Sequence, residues 1–65
     1  MTGFELRIRD ILECDNESAI EYAEMIDARC DCLEAQYVID ELVKYEGWDS
    51  LNAILCVEAW YEVNS

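Results

Sequence analysis

Residues 16–46, NESAIEYAEMIDARCDCLEAQYVIDELVKYE, decide the fold because the whole stretch has helical periodicity. Acidic residues recur every three or four positions, which places them along one side of a helix. We call these six residues the acidic row: Glu17, Glu21, Glu24, Asp27, Asp31 and Glu34. Apolar residues recur at the same spacing on the opposite side: Ala19, Ala23, Ile26, Cys30 and Leu33. The stretch therefore predicts a helical body with one apolar side and one acidic side.

The boundaries within this stretch follow from capping residues. Asp15 or Asn16 can cap a helix that we expect to run to about Cys30, with a break near Asp31 and one long helix as the alternative. A third helix then follows and ends at Gly47, a residue suited to a helix C-terminus. Its expected inward residues are Ala35, Val38, Ile39, Leu42 and Tyr45.

The two ends of the chain carry mixed signals. Thr2 and Glu5 form a capping box that predicts a first helix, although residues 4–9 also alternate as a strand would. Asp49 or Ser50 can cap a last helix that reaches about Val63, and residues 54–63 are also rich in β-forming side chains. That last segment is apolar nearly all round, so we expect it to fill the centre. We predict an all-α bundle of three or four helices, with α+β and short terminal strands as the alternative.

Length and charge restrict the function. The 65 residues form one small acidic domain, residues 1–65, with a net charge of −12 from sixteen acids and four bases. Like charges at helical spacing cost about 0.2–0.5 kcal/mol per contact, so the acidic row is kept at a cost to stability. Direct binding to nucleic acid or to an anionic membrane needs a basic patch, which the chain lacks. A basic protein surface is the expected partner, with the chain acting as a monomer or a homodimer.

The residues needed for catalysis or for a cofactor do not occur in recognisable patterns. The chain has no histidine, and its serines lack a neighbouring base that could activate them. The spacing of the cysteines differs from that of zinc fingers and ribbons, and no acidic segment matches a calcium loop. The cysteines are Cys14, Cys30, Cys32 and Cys56. We therefore expect a non-enzyme without metal or other cofactors, in which the cysteines are mostly small buried side chains.

The start of the chain resembles no export signal. Residues 1–5 have neither a positive start nor an apolar run, and no apolar stretch is long enough to span a membrane. We expect a cytoplasmic protein with reduced cysteines, in the cytoplasm of a bacterial host if a phage encodes it.

The acidic row has a spacing that suits a groove made for phosphates. Successive members lie about 5–6 Å apart along a helix axis, a distance of the same order as that between neighbouring phosphates. Tyr37, on the polar side of the third helix, is the expected aromatic contact within this acidic surface. The sequence thus predicts a partner-binding surface formed by the acidic row and Tyr37, and the rival interpretation is a solvated face that maintains solubility.

In size, charge and acidic row, the chain resembles the small acidic DNA-mimicking proteins that phages use against bacterial defence, above all anti-CRISPR proteins. These proteins share no common motif, so no residue role is transferred. The resemblance implies a non-enzymatic inhibitor that covers the Lys- and Arg-lined DNA channel of a CRISPR-Cas effector. The alternative function is a small acidic adaptor or dimerising structural protein that uses apolar surface near Trp60 and Tyr61.

Overall fold

The computed structural model describes residues 1–65 and consists of four α-helices without a β-strand. The helices are α1 (Gly3–Leu12), α2 (Asn16–Cys32), α3 (Ala35–Lys44) and α4 (Ser50–Val63). The predicted all-α bundle is confirmed, and both segments with mixed signals, residues 4–9 and 54–63, are helical. No helix has the length and the apolar content that a bilayer-spanning segment needs.

Side-chain caps define the start of three helices. The Thr2 hydroxyl accepts a hydrogen bond from the Glu5 N–H, and the Glu5 carboxylate accepts one from the Thr2 N–H at 2.8 Å, so the predicted capping box is present. Asp15 accepts a hydrogen bond from the Ser18 N–H at 2.8 Å, and Asp49 caps α4 through the Leu51 N–H. The hydrogen bonds from Ser18 lower the pKa of the Asp15 carboxyl, because they favour its charged form.

The break between α2 and α3 lies later than the sequence indicates. Helix α2 continues through Asp31 to Cys32, and α3 begins after Glu34, whose side chain makes no capping hydrogen bond. The predicted end near Cys30 and break near Asp31 are therefore wrong by about one half-turn. Leu33 lies beyond the end of α2 and has an extended backbone, φ −124° and ψ 156°, so its side chain does not continue the inward-facing side of the helix. It is exposed instead of buried.

Gly47 has the left-handed conformation expected of a helix stop, but α3 already ends at Lys44, and the prediction of an inward Tyr45 is wrong. Gly47 has φ +73°, in the left-handed region that glycine adopts without strain, and the next N–H, of Trp48, donates to the Leu42 carbonyl. Tyr45 caps the C-terminus of α3 and is 78% exposed. Trp48 covers this end of the core instead, with its ring edge-on to Tyr22 at a centroid distance of 5.4 Å.

Helix α4 lies at the centre of the bundle and contacts each of the other three helices. Its buried residues are small or β-branched: Ala53, Cys56, Val57 and Ala59. They pack with the buried residues of the other helices: Phe4, Ile8, Ala19, Ala23, Ile26, Cys30, Val38 and Leu42. Only one side of α4 is buried, however, so the helix contributes to the centre without filling it, and its other apolar side is exposed. A domain of this size buries about 60% of its chain's surface and has no second layer to cover the other side.

Candidate partner-binding surface

Five members of the acidic row lie on one side of α2. At about 100° per residue, Glu17, Glu21, Glu24, Asp27 and Asp31 fall within a sector of roughly 120°. All five are exposed, while the opposite side of the helix buries Ala19, Ala23, Ile26 and Cys30 as predicted. The structure therefore brings these carboxylates together on one face of one rigid element.

The sixth member and the aromatic residue belong to the next helix. Glu34 is the N-cap of α3, and Tyr37 lies in the first turn of that helix. Both are exposed, Tyr37 by 53%. The acidic row is consequently interrupted by the connection between α2 and α3, and its last residue does not continue the α2 face by helical geometry.

The bases of the chain pair with acids outside the acidic row. Arg7 contacts Glu62 at 2.6 Å, and Arg9 lies 3.6 Å from Asp10. Arg29 pairs with Glu41 and Glu46, and the remaining base, Lys44, forms no ion pair. No row carboxylate is neutralised within the chain, so the full negative charge of the row faces the solvent.

Arg29 shows why the row stays unpaired although a base lies on the same helix. Its guanidinium points toward α3 and the following loop, where it lies 3.7 Å from Glu41 and 3.2 Å from Glu46. Only about a quarter of its side chain is exposed, which removes it from the solvent-facing side of α2. Arg29 thus fastens α2 to α3 and leaves the row without a counter-charge.

One row carboxylate has a second role within the fold. The indole Nε1–H of Trp60 on α4 donates a hydrogen bond of 2.8 Å to the Asp27 carboxylate. This contact joins α2 to α4 and fixes Asp27 without removing its charge. This hydrogen bond could not be predicted from the sequence, because the two residues lie 33 positions apart and the bond depends on the angle between the helices.

A shallow depression lies beside this contact, where the N-terminus of α1 and the end of α4 meet α2. Its volume is about 260 Å³, and its wall includes Glu24 and Asp27 from the row together with Phe4, Ala23 and Val63. Apolar side chains therefore border two row carboxylates here. That combination can accept the methylene stem and charged head of a long basic side chain.

The cysteines form no site with one another. All four are free thiols, and no cluster of three Cys, Asp or Glu side chains is arranged to hold a metal ion. Burial raises the pKa of Cys56 to about 12, with Cys14 as a smaller cause, and burial together with nearby Asp27 raises the pKa of Cys30 to about 11. The expectation of buried cysteines is confirmed for these two and wrong for Cys32, which is exposed.

A second exposed feature lies on α4, and it coincides with the apolar surface expected near Trp60 and Tyr61 only at Tyr61. Leu51, Ile54, Leu55 and Tyr61 are each at least one-third exposed and share the outer side of the helix. The available signal was their spacing of three and four residues combined with the small size of the domain. Trp60, the residue expected to mark an apolar surface, is half-buried and turned toward Asp27 instead.

Searches against protein-family models, curated proteins and solved structures gave no match.

Proposed function

We propose that this protein is a non-enzymatic inhibitor that mimics nucleic acid and blocks the nucleic-acid-binding groove of a basic partner protein. The observation that carries the proposal is the unpaired acidic face of α2. Its five carboxylates are exposed on one side of a single helix, while three of the four bases are paired with other acids. A face whose only task was solubility would gain stability from interleaved bases.

The spacing of these carboxylates supports the proposal. Neighbouring row residues on α2 are three or four positions apart, which corresponds to a rise of about 5–6 Å. Lysine and arginine side chains arranged for successive phosphates can then pair with successive carboxylates, in a charge-assisted geometry that arginine favours. Because the row lies on a helix packed in the core, the partner loses little binding energy to ordering it.

The packing of α2 provides this rigidity. Its inner side is fully buried at Ala19 and Ile26, and Arg29 joins the helix to the segment that contains Glu41 and Glu46. The hydrogen bond from Trp60 holds the α4 side. Tyr37, more than half exposed at the start of α3, extends the proposed contact surface with an aromatic ring.

The class of partner is proposed from the resemblance to anti-CRISPR proteins. In such a partner, the channel that holds the guide–target duplex is lined with bases that contact the phosphate backbone without reading sequence. A row of carboxylates needs no sequence information to occupy such a channel. We therefore propose a CRISPR-Cas effector subunit in a bacterial cytoplasm as the target, with DNA excluded by direct competition.

Competition with DNA tests this function. Purified Cascade-type and Cas9-type effectors, loaded with guide RNA, are incubated with fluorescent target DNA, and its release by the protein is followed by anisotropy. The test variant carries Glu21→Lys, Glu24→Lys and Asp31→Lys. The control variant carries Asp10→Lys, Glu13→Lys and Asp40→Lys, three reversals at exposed positions outside the row that change the net charge equally.

We expect wild type and control to displace DNA from at least one effector and the test variant to lose at least about a hundredfold in potency, since several ion pairs are reversed together. Equal potency of the two variants would show that overall charge acts instead of the row. A lack of displacement from every effector, with the protein folded, would contradict the proposed target class.

A further inference from the structure

The outer side of α4 has an apolar stripe that the fold leaves uncovered. Leu51 is 60% exposed, Ile54 38%, Leu55 39% and Tyr61 42%. Their spacing places them in successive turns along one side of the helix, with the exposed carboxylate of Glu58 between them. Side chains of this kind, contiguous and bordered by polar residues, are typical of protein contact surfaces.

The dimensions of the stripe match a helical partner. From Leu51 to Tyr61 the helix rises about 15 Å, or roughly three turns. The stripe contains residues at the three- and four-residue intervals that pack against the corresponding intervals of a second helix. A partner helix of about three turns would therefore cover it completely.

The unpaired carboxylate within the stripe indicates which kind of helix can bind there. Glu58 takes part in no ion pair, and the neighbouring Glu62 already contacts Arg7 at 2.6 Å. A partner that covers the stripe must supply a base for Glu58, because a carboxylate buried without a counter-charge is strongly unfavourable. A second copy of this chain would bring a second Glu58 and another net charge of −12 to the interface.

We propose that α4 binds an amphipathic helix of another protein, with leucine-like residues on one face and a lysine or arginine positioned opposite Glu58. This surface is distinct from the acidic row. Trp60, whose indole contacts Asp27 of the row, lies about 200° around α4 from Glu58. The two surfaces therefore face opposite sides of α4, and one molecule can bind a basic groove and a basic amphipathic helix together.

Two synthetic peptides of about 18 residues, enough for a helix longer than the stripe, serve as probes. Both contain the same numbers of leucine and lysine, but in one the leucines form a single helical face and in the other they are dispersed. Binding of the labelled peptides to the full-length protein is measured by fluorescence anisotropy at near-physiological salt. The protein variants are Leu51→Ser, Leu55→Asp and Glu58→Lys, with Tyr45→Ser as a control that removes an exposed aromatic residue at the end of α3, outside α4.

We expect the single-face peptide to bind at least about tenfold more tightly than the dispersed one, a difference of about 1.4 kcal/mol. Each of the three stripe variants should weaken binding of the single-face peptide by at least about tenfold. Tyr45→Ser and the variant with Glu21→Lys, Glu24→Lys and Asp31→Lys should still bind the single-face peptide more tightly than the dispersed one. Circular dichroism checks that each variant is folded, and Leu51→Ser, at the most exposed position of the stripe, is the variant that perturbs the core least.

Three results would overturn the proposal. Equal binding of both peptides would mean that they are attracted by negative charge alone. Unchanged binding to folded Leu51→Ser and Glu58→Lys would place the peptide elsewhere. Light scattering that shows a wild-type dimer and a Leu51→Ser monomer would mean that a second copy covers the stripe.

Discussion

Helices α2 and α4 bury similar side chains and expose opposite ones. The inner side of α2 consists of Ala19, Ala23, Ile26 and Cys30, and that of α4 of Ala53, Cys56, Val57 and Ala59. The outer side of α2 carries the unpaired carboxylates, whereas the outer side of α4 carries the apolar stripe around Glu58. Small inner side chains let the helices pack closely. This packing does not restrict which residues occupy the outer sides of the helices.

The comparison shows that stability and surface chemistry are separable in this bundle. Each outer side is less favourable than an ordinary mixed surface, since one side accumulates repulsion and the other leaves apolar area in water. A binding role would explain both features, and the two proposals assign each side its own partner. Of the five predictions on reactivity and stability, four contrast a position on α2 with one on α4, or an inner position with an outer one.

The largest expected difference is in thiol reactivity between Cys32, exposed at the end of α2, and Cys56, buried in α4. With a pKa of about 12, Cys56 has a thiolate fraction of only about one in ten thousand at pH 8, and the thiolate is the reactive form. Alkylation followed by peptide mass spectrometry should modify Cys32 at least about a hundredfold faster than Cys56. Unfolding in urea should remove the difference, and comparable rates in the folded protein would contradict the buried position.

The raised pKa values also predict a dependence of stability on alkaline pH. A thiol whose pKa is higher in the folded state stabilises the fold below its unfolded pKa, and this contribution is lost as pH rises toward the folded value. For Cys30 and Cys56 that window runs from the ordinary thiol pKa of 9.0 up to about 11 and about 12, respectively. The urea concentration at the unfolding midpoint of wild type should therefore decrease as the pH rises through this range. It should decrease less in a double variant that carries Cys30→Ala and Cys56→Ala.

Substitutions on the inner and outer sides of α2 should differ clearly in how much they lower the free energy of unfolding. Ile26 is completely buried and Ile20 is 37% exposed on the same helix. Ile26→Ala should lower the free energy of unfolding by about 2–4 kcal/mol, because it leaves a cavity in the core, and Ile20→Ala by less than about 1 kcal/mol. Urea denaturation followed by circular dichroism measures both, and equal losses would contradict the orientation of α2.

The hydrogen bond between Trp60 of α4 and Asp27 of α2 should make a contribution of intermediate size to the free energy of unfolding. Trp60→Phe removes the indole donor to Asp27 and should cost about 1 kcal/mol of unfolding free energy. Tyr61→Phe is the matched control, since the Tyr61 hydroxyl has no hydrogen-bond partner in the fold and its loss should have almost no effect. If Trp60→Phe and Tyr61→Phe were equally stable, the hydrogen bond would contribute nothing to the position of α4.

The smallest effect concerns the repulsion within the acidic row. Glu21→Lys replaces two like-charge contacts, with Glu17 and Glu24, by attractive ones, and should raise the free energy of unfolding by about 0.5–1 kcal/mol at low salt. Glu58→Lys on α4 has one acidic neighbour at helical spacing, Glu62, which Arg7 already pairs, so its gain should be smaller. Added salt should reduce the difference between them. A gain at Glu21 no larger than that at Glu58 would mean that the row imposes no cost.

Much of the fold could be predicted because the relevant signals are local. The capping residues Thr2, Asp15 and Asp49 and the left-handed Gly47 mark helix ends through their own chemistry, and all four act as expected. The buried side of α2 followed from spacing alone, and so did the exposure of the opposite carboxylates.

The errors occur where tertiary contacts decide. Leu33 fits helical spacing but lies beyond the end of α2 with an extended backbone. Tyr45 keeps helical dihedral angles as the C-cap of α3, and it is exposed because Trp48 packs against the core at that end. The pairing of Arg29 with Glu41 and Glu46 and the bond between Trp60 and Asp27 depend on how the helices cross. For the same reason the sequence could predict an acidic surface but could not show whether the arginines would neutralise it.

The most direct test of the proposed mimicry, in which unpaired carboxylates on α2 take the place of phosphates, is the salt dependence of binding. The affinity for an effector that releases DNA is measured over a range of salt concentrations for wild type, Glu24→Gln and Glu58→Gln. We expect a steep decrease in affinity with salt for wild type, a shallower slope for Glu24→Gln, and an unchanged slope for Glu58→Gln, because only the row carboxylate faces the bases of the groove. Identical slopes for Glu24→Gln and wild type would contradict it.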